Sequence, residues 1–461
     1  MSPDPTHTRP TPDSPYITKR EREMRKPIAV AAGALALSLL ATSCGGAGEV
    51  EEGAGADLDV SVGVTDDTVT IGTHQPLTGP ASAGYLAISQ GASAVFEYIN
   101  AQGGVHGRTI EYLVKDDVYD PTKTVEVTQE LVEGEEIFAM LGGLGTPTHS
   151  KVIQYLNDKG VPDLFPSSGA LMWNDPEQYP LTYGYQVDYT KEAKVLAEYI
   201  AENLPDAKVG YYYQNDDVGT DSIAGLDQYL ADAVVADQSY ESTAPEAVGG
   251  QISALKEAGA DLIVCACIPA FAALGILNAA GQGYHPQWVI SSIGSDTPTL
   301  RGLLKEYAED DELPVDQILD GIITSGYLPQ ANMTDDPWTQ FFTEIHEEYG
   351  EGELTNTRIY GMVQAVMFAR ALKAAGENPT RQSLVDAVEA MDWNGPGLVP
   401  FASSADDHGG HAGVLVQQYK AGEDGGTLER LQEPRVTDRE GGEIVPAEHE
   451  RLTPEEYDFH D

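Results

Sequence analysis

Apolar residues recur along this chain in two alternating rhythms. Thr68–His74 and Thr109–Val114 read as strands. Between them, Ile88, Ala92, Val95, Phe96 and Ile99 fall at helical spacing within Tyr85–Ala101. Asp120 and Pro121 supply an N-cap and a proline at the first helical position, opening a helix that runs to Leu131. Ile137–Leu141, Val161–Phe165, Lys208–Tyr213, Asp261–Cys267 and Trp288–Ser291 read as further strands separated by helical stretches. Thr355–Ala375 predicts a long helix with Ile359, Val363, Val366, Met367 and Ala371 on one face. The pattern is a series of strand–helix units, hence an α/β fold with parallel sheets covered on both faces. About ten such units strain a single open sheet, so two lobes are expected.

The ends of the chain break this rhythm. Pro27–Ser43 is a run of 17 uncharged residues preceded by Arg25 and Lys26. A membrane-spanning helix needs about 20 apolar residues. A shorter run behind a basic segment, ending in small residues, predicts an export signal over residues 1–43. Met24 begins a complete signal by itself, so the natural start is expected there. The run closes on Leu40-Ala41-Thr42-Ser43-Cys44, which is similar to the bacterial lipoprotein box. That resemblance implies a diacylglycerol on the Cys44 thiol, and so a membrane partner through lipid. Residues 44–66 are rich in Gly and acid and are expected to be a flexible tether. Residues 435–461 hold 9 acidic and 3 basic residues without periodicity, and predict a solvated acidic tail.

Charge narrows the function. The 461 residues carry 74 Asp+Glu against 26 Lys+Arg, a formal net charge of −48. Nucleic acid is excluded as a partner, because phosphate contact requires clustered Lys or Arg. Such a surface suits an extracytoplasmic protein, where salt screens the repulsion. Cys265 and Cys267 alternate onto one face of a strand; neighbours at this spacing rarely form an unstrained disulfide, so they read as small core residues. G-x-S-x-G, P-loop and G-x-G-x-x-G signatures are absent, and His346-Glu347-Glu348-Tyr349-Gly350 lacks the second histidine of a zinc helix. His408 and His411, in Asp406–His411, are the best metal candidates, but their glycines favour a surface turn and no metal is assigned. No cofactor is implied.

Six segments in order carry a family resemblance. They are Ile71-Gly72 with Pro76–Pro80, Ile99–Arg108, Asp116–Pro121, Ser167–Gly169, Tyr213–Gly219 and Gly321–Leu328. Together they resemble the solute-binding proteins of branched-chain amino acid ABC transporters, the leucine-binding-protein-like group with the type I periplasmic-binding fold. The resemblance spans about residues 67–433. It implies two Rossmann-like lobes joined by a three-crossing hinge, near 183–188, 323–328 and 397–403. Lobe 1 is expected to comprise 67–185 and 326–400, and lobe 2 to comprise 186–325 and 401–434. It also implies a monomer that binds a small molecule between the lobes and hands it to ABC permease subunits, without catalysis. A ligand-sensing receptor is the alternative, and a secreted hydrolase using Ser167, His408 and Asp217 a remote one.

The same resemblance assigns the ligand positions. Leu144 and Thr146, with Ser167, Ser168 and Gly169, match the loops that hold a ligand carboxylate through hydroxyls and backbone N–H groups. Gly169 stands where amino-acid binders carry Thr. Val218 and Ile268 replace two pocket aromatics, and Ile293 aligns with the acid that pairs with the ligand ammonium. Asp217 is a nearby substitute for that acid, Tyr189 a stacking or hydrogen-bonding group, and Tyr85 a lid. An ammonium against three aliphatic residues is unfavourable, so leucine, isoleucine and valine are expected to bind weakly and a ligand lacking the ammonium to bind better. The anchor has its own test. Cys44→Ala should release the protein from membranes or stall its processing, while intact mass of the membrane-extracted wild type should show a modified N-terminal cysteine.

Overall fold

The structure is a computed structural model and describes residues 57–422 and 426–460. The signal segment, Met24, Cys44 and the first part of the tether lie outside the described residues. Two parallel sheets organise the rest, and each repeats the same strand order. The first contains β1 (Thr68–Gln75), β2 (Thr109–Asp116), β3 (Met140–Leu141), β4 (Asp163–Leu164) and β5 (Thr182–Tyr183), in the order β2-β1-β3-β4-β5. β1 and β2 run in register from Thr68 opposite Thr109 to Gln75 opposite Asp116.

The second sheet begins with β6 (Val209–Gln214), β7 (Val234–Tyr240), β8 (Leu262–Ala266), β9 (Gln287–Ile290) and β10 (Ile323–Gly326), in the parallel order β7-β6-β8-β9-β10. Three antiparallel strands extend it beyond β10: β13 (Gly413–Lys420), β14 (Thr427–Val436) and β15 (Val445–Pro446). A separate hairpin, β11 (Phe401–Ser404) and β12 (Asp407–His411), stands against β5, where Gly184 N–H donates to the His408 carbonyl at 2.8 Å. Among the described residues no helix is long and apolar enough to cross a membrane.

The predicted helices form with close to the expected bounds. The first spans Ser82–Ala101, with non-helical dihedrals at Ala83 and Gly84, so regular helix starts at Tyr85. Asp120 caps Pro121–Gln129 by accepting from Thr122 and Lys123 N–H. Thr355 caps Asn356–Ala374. The first and last of these helices pack so closely that a Cβ on Gly91 would stand 2.1 Å from the Arg358 carbonyl oxygen. Only glycine permits that approach.

Four expectations change. The strand that ends in Cys265 and Cys267 carries a disulfide between them. Two residues of extended strand span about 6.6 Å, but these Cα atoms are 5.3 Å apart, because the chain leaves the pleat at Ala266 and brings the sulfurs together. The tether is shorter than expected. Arg381 and Gln382 N–H donate to the Val60 and Leu58 carbonyls, and Val64 bridges Val69, so residues 58–64 are docked on the first lobe. The third passage between sheets lies between β12 and β13, near Ala412 rather than 397–403, because the hairpin 401–411 belongs with β5. The acidic tail is not solvated: Tyr457 and Phe459 are buried, with the Tyr457 ring 5.2 Å from Trp338 and Arg370 stacked over it at 4.2 Å.

That last segment makes a fourth passage between the lobes. After β15 it returns to the helices of the first lobe, where Trp338 Nε1–H donates to the Leu452 carbonyl and Arg451 to the Pro396 carbonyl, both at 2.8 Å. Three crossings were expected. If the segment packs in this way, Tyr457→Ala should cost about 3–5 kcal/mol in urea denaturation, as truncation of a buried aromatic does. A change within about 0.5 kcal/mol, typical of an exposed position, would return the segment to solvent.

Candidate functional site

In an open parallel sheet the strand order reverses beside the first strand, and the chain ends there leave a crevice. Both sheets here have such a point, between β1 and β3 and between β6 and β8. The segments that leave those four strands supply Tyr85, Leu144, Gly145, Thr146, Val218 and Ile268 to one cavity of about 120 Å³. At roughly 10–15 Å³ per water centre, that is room for a small organic molecule.

On the first-lobe side the lining is hydroxyl-rich. Thr146 Oγ1 lies 2.7 Å from Ser168 Oγ and 3.1 Å from the Tyr189 hydroxyl, which closes a triangle with Ser168 at 3.3 Å. Thr146 and Tyr189 line the cavity, and Ser168 stands behind them. Burial pushes the Tyr189 phenol up to about 12, so it stays a protonated donor. Gly169 does not line the cavity. A Cβ there would lie 2.9 Å from the Tyr189 ring, so the glycine makes room for the tyrosine and its hydroxyl. The donor lost at Gly169 is thus returned by Tyr189. Ser167 Oγ donates to the Gly142 carbonyl at 3.2 Å and accepts from Gln364 Nε2 at 3.0 Å.

The second-lobe side is aliphatic around Val218, Ile268 and Ile293, all in the lining. Asp216 fixes Val218 by accepting its N–H at 2.9 Å, and the Tyr240 hydroxyl accepts the Ile268 N–H at 3.0 Å. Tyr85 reaches across from the first lobe and donates to the Ile293 carbonyl at 3.0 Å. Asp217, in contrast, is exposed on the first turn of the helix Asp217–Leu230 and is not part of the lining.

The acid of the cavity is Asp296, three residues beyond Ile293, which the alignment missed. Its Oδ2 accepts from Thr299 N–H at 3.2 Å and Thr299 Oγ1 at 2.6 Å, capping Thr297–Ala308, while Oδ1 has no hydrogen-bond partner within the protein. Burial pushes its carboxyl up, opposed by Thr299 and by the N–H groups of Thr357 and Asn356 facing it. Among the described residues no Lys, Arg or His lines the cavity. Gln186 Nε2 and Gln330 Oε1, also in the lining, have no partner within the protein. Sequence reasoning missed Tyr119, Tyr327 and Tyr360 as well. For Tyr119 and Tyr327 the available signal was their position just after a strand; Tyr360, inside the helix Asn356–Ala374, carried none.

The remaining candidates are not brought together. His408 and His411 are buried, each holding a backbone carbonyl at 2.7 Å, of Thr182 and Tyr185 respectively. Neither meets Ser167 or Asp217. Among the described residues no group of three or more His, Cys, Asp or Glu side chains is arranged to hold a metal ion.

A profile of the periplasmic binding protein family matches residues 68–426, which contain the ten parallel strands β1–β10 and the whole cavity lining except Leu428. The chain belongs to the periplasmic binding protein family. It is a substrate-binding protein, not an enzyme. A Leu/Ile/Val-binding protein homolog 3 of Brucella melitensis is 26% identical over 199 residues, 42% of this chain and 53% of that protein, so the match spans about half of that relative. The Leu/Ile/Val-binding protein homolog 1 of Brucella abortus is 21% identical over 373 residues, 77% of this chain and 92% of that protein. A branched chain amino acid ABC transporter structure from Thermus thermophilus with bound valine superposes with a TM-score of 0.69 at 19% identity, covering 81% of this chain and 97% of that one. At that identity the likeness establishes the type I two-lobed fold.

Proposed function

We propose that this protein is the extracytoplasmic, Cys44-anchored substrate-binding component of an ABC importer, and that its ligand is a small amino acid with an apolar side chain. Membership of the family supports the binding role. The likeness to Leu/Ile/Val-binding homologs and to a valine-bound structure supports the ligand class. The observation that carries the reading is Asp296. A buried carboxylate on the cavity wall, without a cationic side chain beside it, is only partly offset by Thr299 and by the N–H groups of Asn356 and Thr357 that face it, and gains from a partner carrying full positive charge. An α-ammonium against Asp296 Oδ1 is such a partner. The hydroxyls of Thr146 and Tyr189 suit a carboxylate without a buried Lys or Arg, and Ile88, Leu144, Val218, Ile268 and Ile293 suit an aliphatic side chain. Asp296 argues against the expectation that an ammonium would be refused.

Calorimetry with L-leucine, L-valine and 4-methylpentanoate, the deaminated analogue of leucine, tests the reading. The amino acids should bind and the analogue should not. Asp296→Asn should weaken leucine by about 1.5–3 kcal/mol and Thr146→Ala by about 1–3 kcal/mol. Tighter binding of 4-methylpentanoate than of leucine would restore the aliphatic-acid reading and leave Asp296 as a lobe-closing contact. Small-angle scattering should show a more compact particle with leucine, since lobe closure shortens the molecule.

A further inference from the structure

Behind the Leu144–Thr146 wall, the first lobe buries four ionisable side chains in one line. Asp117 Oδ2 is 2.8 Å from His74 Nδ1, and His74 Nε2 is 2.8 Å from His149 Nδ1. His149 Nε2 is 3.0 and 2.9 Å from the two Asp163 oxygens. All four residues are 0% exposed. They come from the end of β1, the segment after β2, the turn Thr146–His149 and β4.

These contacts fix a proton count. A neutral imidazole carries one ring proton and an ionised carboxylate none. Two neutral rings beside two carboxylates therefore hold two protons between them. If each ring donates to its aspartate, the two inner nitrogens face each other at 2.8 Å as bare lone pairs. If either ring turns its proton inward, its outer nitrogen faces a carboxylate with no proton between. Three contacts need three protons, whichever way each one points. The line thus holds one proton beyond the neutral-ring form, on an imidazole or on an acid.

The line is also the floor of the ligand loop. A Cβ on Gly143 would lie 2.3 Å from His149 Nδ1 and 2.9 Å from His74 Nε2, so the loop rests on the pair itself. Leu144 N–H donates to the His74 carbonyl at 3.2 Å, and His149 N–H to the Gly145 carbonyl at 2.9 Å. At the far end, Asp117 Oδ1 accepts from Tyr119 N–H at 2.9 Å, and Tyr119 lines the cavity too.

We propose that His74 and His149 are positioning residues that share this buried proton, and that its loss at rising pH loosens the Leu144–Thr146 wall and lowers ligand affinity. The proposal rests on the cavity being the ligand site. The charged groups facing the pair are Asp117 and Asp163. Thr124 Oγ1 donates to Asp117 and Thr182 Oγ1 to Asp163, at 2.9 and 3.0 Å, and the Trp173 ring covers His149. Burial of His74 is the largest influence and holds its imidazole below the usual histidine range, with His149 adding to it and Asp117 and Asp163 opposing it, so the extra proton is held by the contacts and leaves early as pH rises. The sign follows: the ordered wall binds the extra proton, so affinity is full at low pH and falls as pH rises through its titration.

Imidazole nitrogen NMR of the full chain, between pH 5 and 9, reads the count without any ligand. Three protons on the line at low pH, falling to two as pH rises together with shifts of the Gly143–Thr146 amides, would support the proposal. Two protons throughout, or amides that ignore the titration, would overturn it. Calorimetry with L-leucine reads the consequence. Wild-type affinity should fall about 10-fold across the titration, the scale of one lost buried hydrogen bond, and His149→Gln should abolish that pH step. A pH step that survives in both His149→Gln and His74→Asn would also overturn it. If leucine does not bind at any pH, the proton count still decides this proposal, and the failure belongs to the ligand reading.

Discussion

Reversal of strand order beside β1 and again beside β6 is the constraint from which the cavity descends. A parallel sheet sends every connection back over one face or the other, and where the direction changes two adjacent strands end with no helix between them. This chain makes that gap twice, with the same order in each sheet, and places the two gaps opposite each other. The residues at the four strand ends then face a shared space regardless of their identity. Identity decides what the space accepts. Leu144, Val218 and Ile268 make part of it apolar, while Thr146 and Tyr189 place hydroxyls along one side.

Charge inside the cavity contrasts with charge outside it. The chain carries −48 overall, yet among the described residues Asp296 is the single carboxylate of the lining and no basic side chain answers it. A field of that sign draws cations toward the surface and discourages anions. A zwitterion feels little net force at long range, so its recognition depends on short contacts. Those contacts are hydroxyls, amides and backbone groups, whose strength comes from geometry held by neighbours. Asp216 holds Val218, Tyr240 holds Ile268, and Gly169 leaves space for Tyr189.

Much of the fold was legible because burial in parallel sheets leaves continuous apolar runs, as in Leu262–Ala266, and helical spacing, as in Tyr85–Ala101. What escaped was set by contacts distant in sequence. Tyr457 and Phe459 carry no periodicity, since they dock singly on Trp338 and Phe341. Leu58, Val60 and Val64 are half-buried where the segment docks, but Val62 is exposed and the surrounding glycine and acid leave no continuous apolar face to read. Asp296 escaped because a short 3-10 turn, Ser292–Gly294, precedes it, and counting along an irregular loop cannot say which residue faces inward. The complementarity of Gly169 and Tyr189 is likewise invisible in the chain, twenty residues apart, until the helix Tyr189–Asn203 is placed.

Closure of the two lobes is held by few polar contacts, Tyr85 to the Ile293 carbonyl and Leu171 N–H to Asp221 Oδ2 at 2.9 Å among them. Each such bond returns about 0.5–1.5 kcal/mol net, because water competes for the same groups when the cleft opens. Against that gain stand Gln186 Nε2 and Gln330 Oε1, buried without a partner in the protein, and Asp296, whose carboxyl burial pushes up despite the Asn356 and Thr357 N–H groups facing it. A stranded buried group costs about 1–3 kcal/mol, more for a charged one. The two sides are of similar size, so the lobes alone have little reason to prefer the closed arrangement. A ligand that offers donors to Gln330 and Asp296 and an acceptor to Gln186 removes the cost at all three points together. On the proposed reading, closure and recognition are one event: the groups that would select the ligand are the ones that oppose closing until it is present.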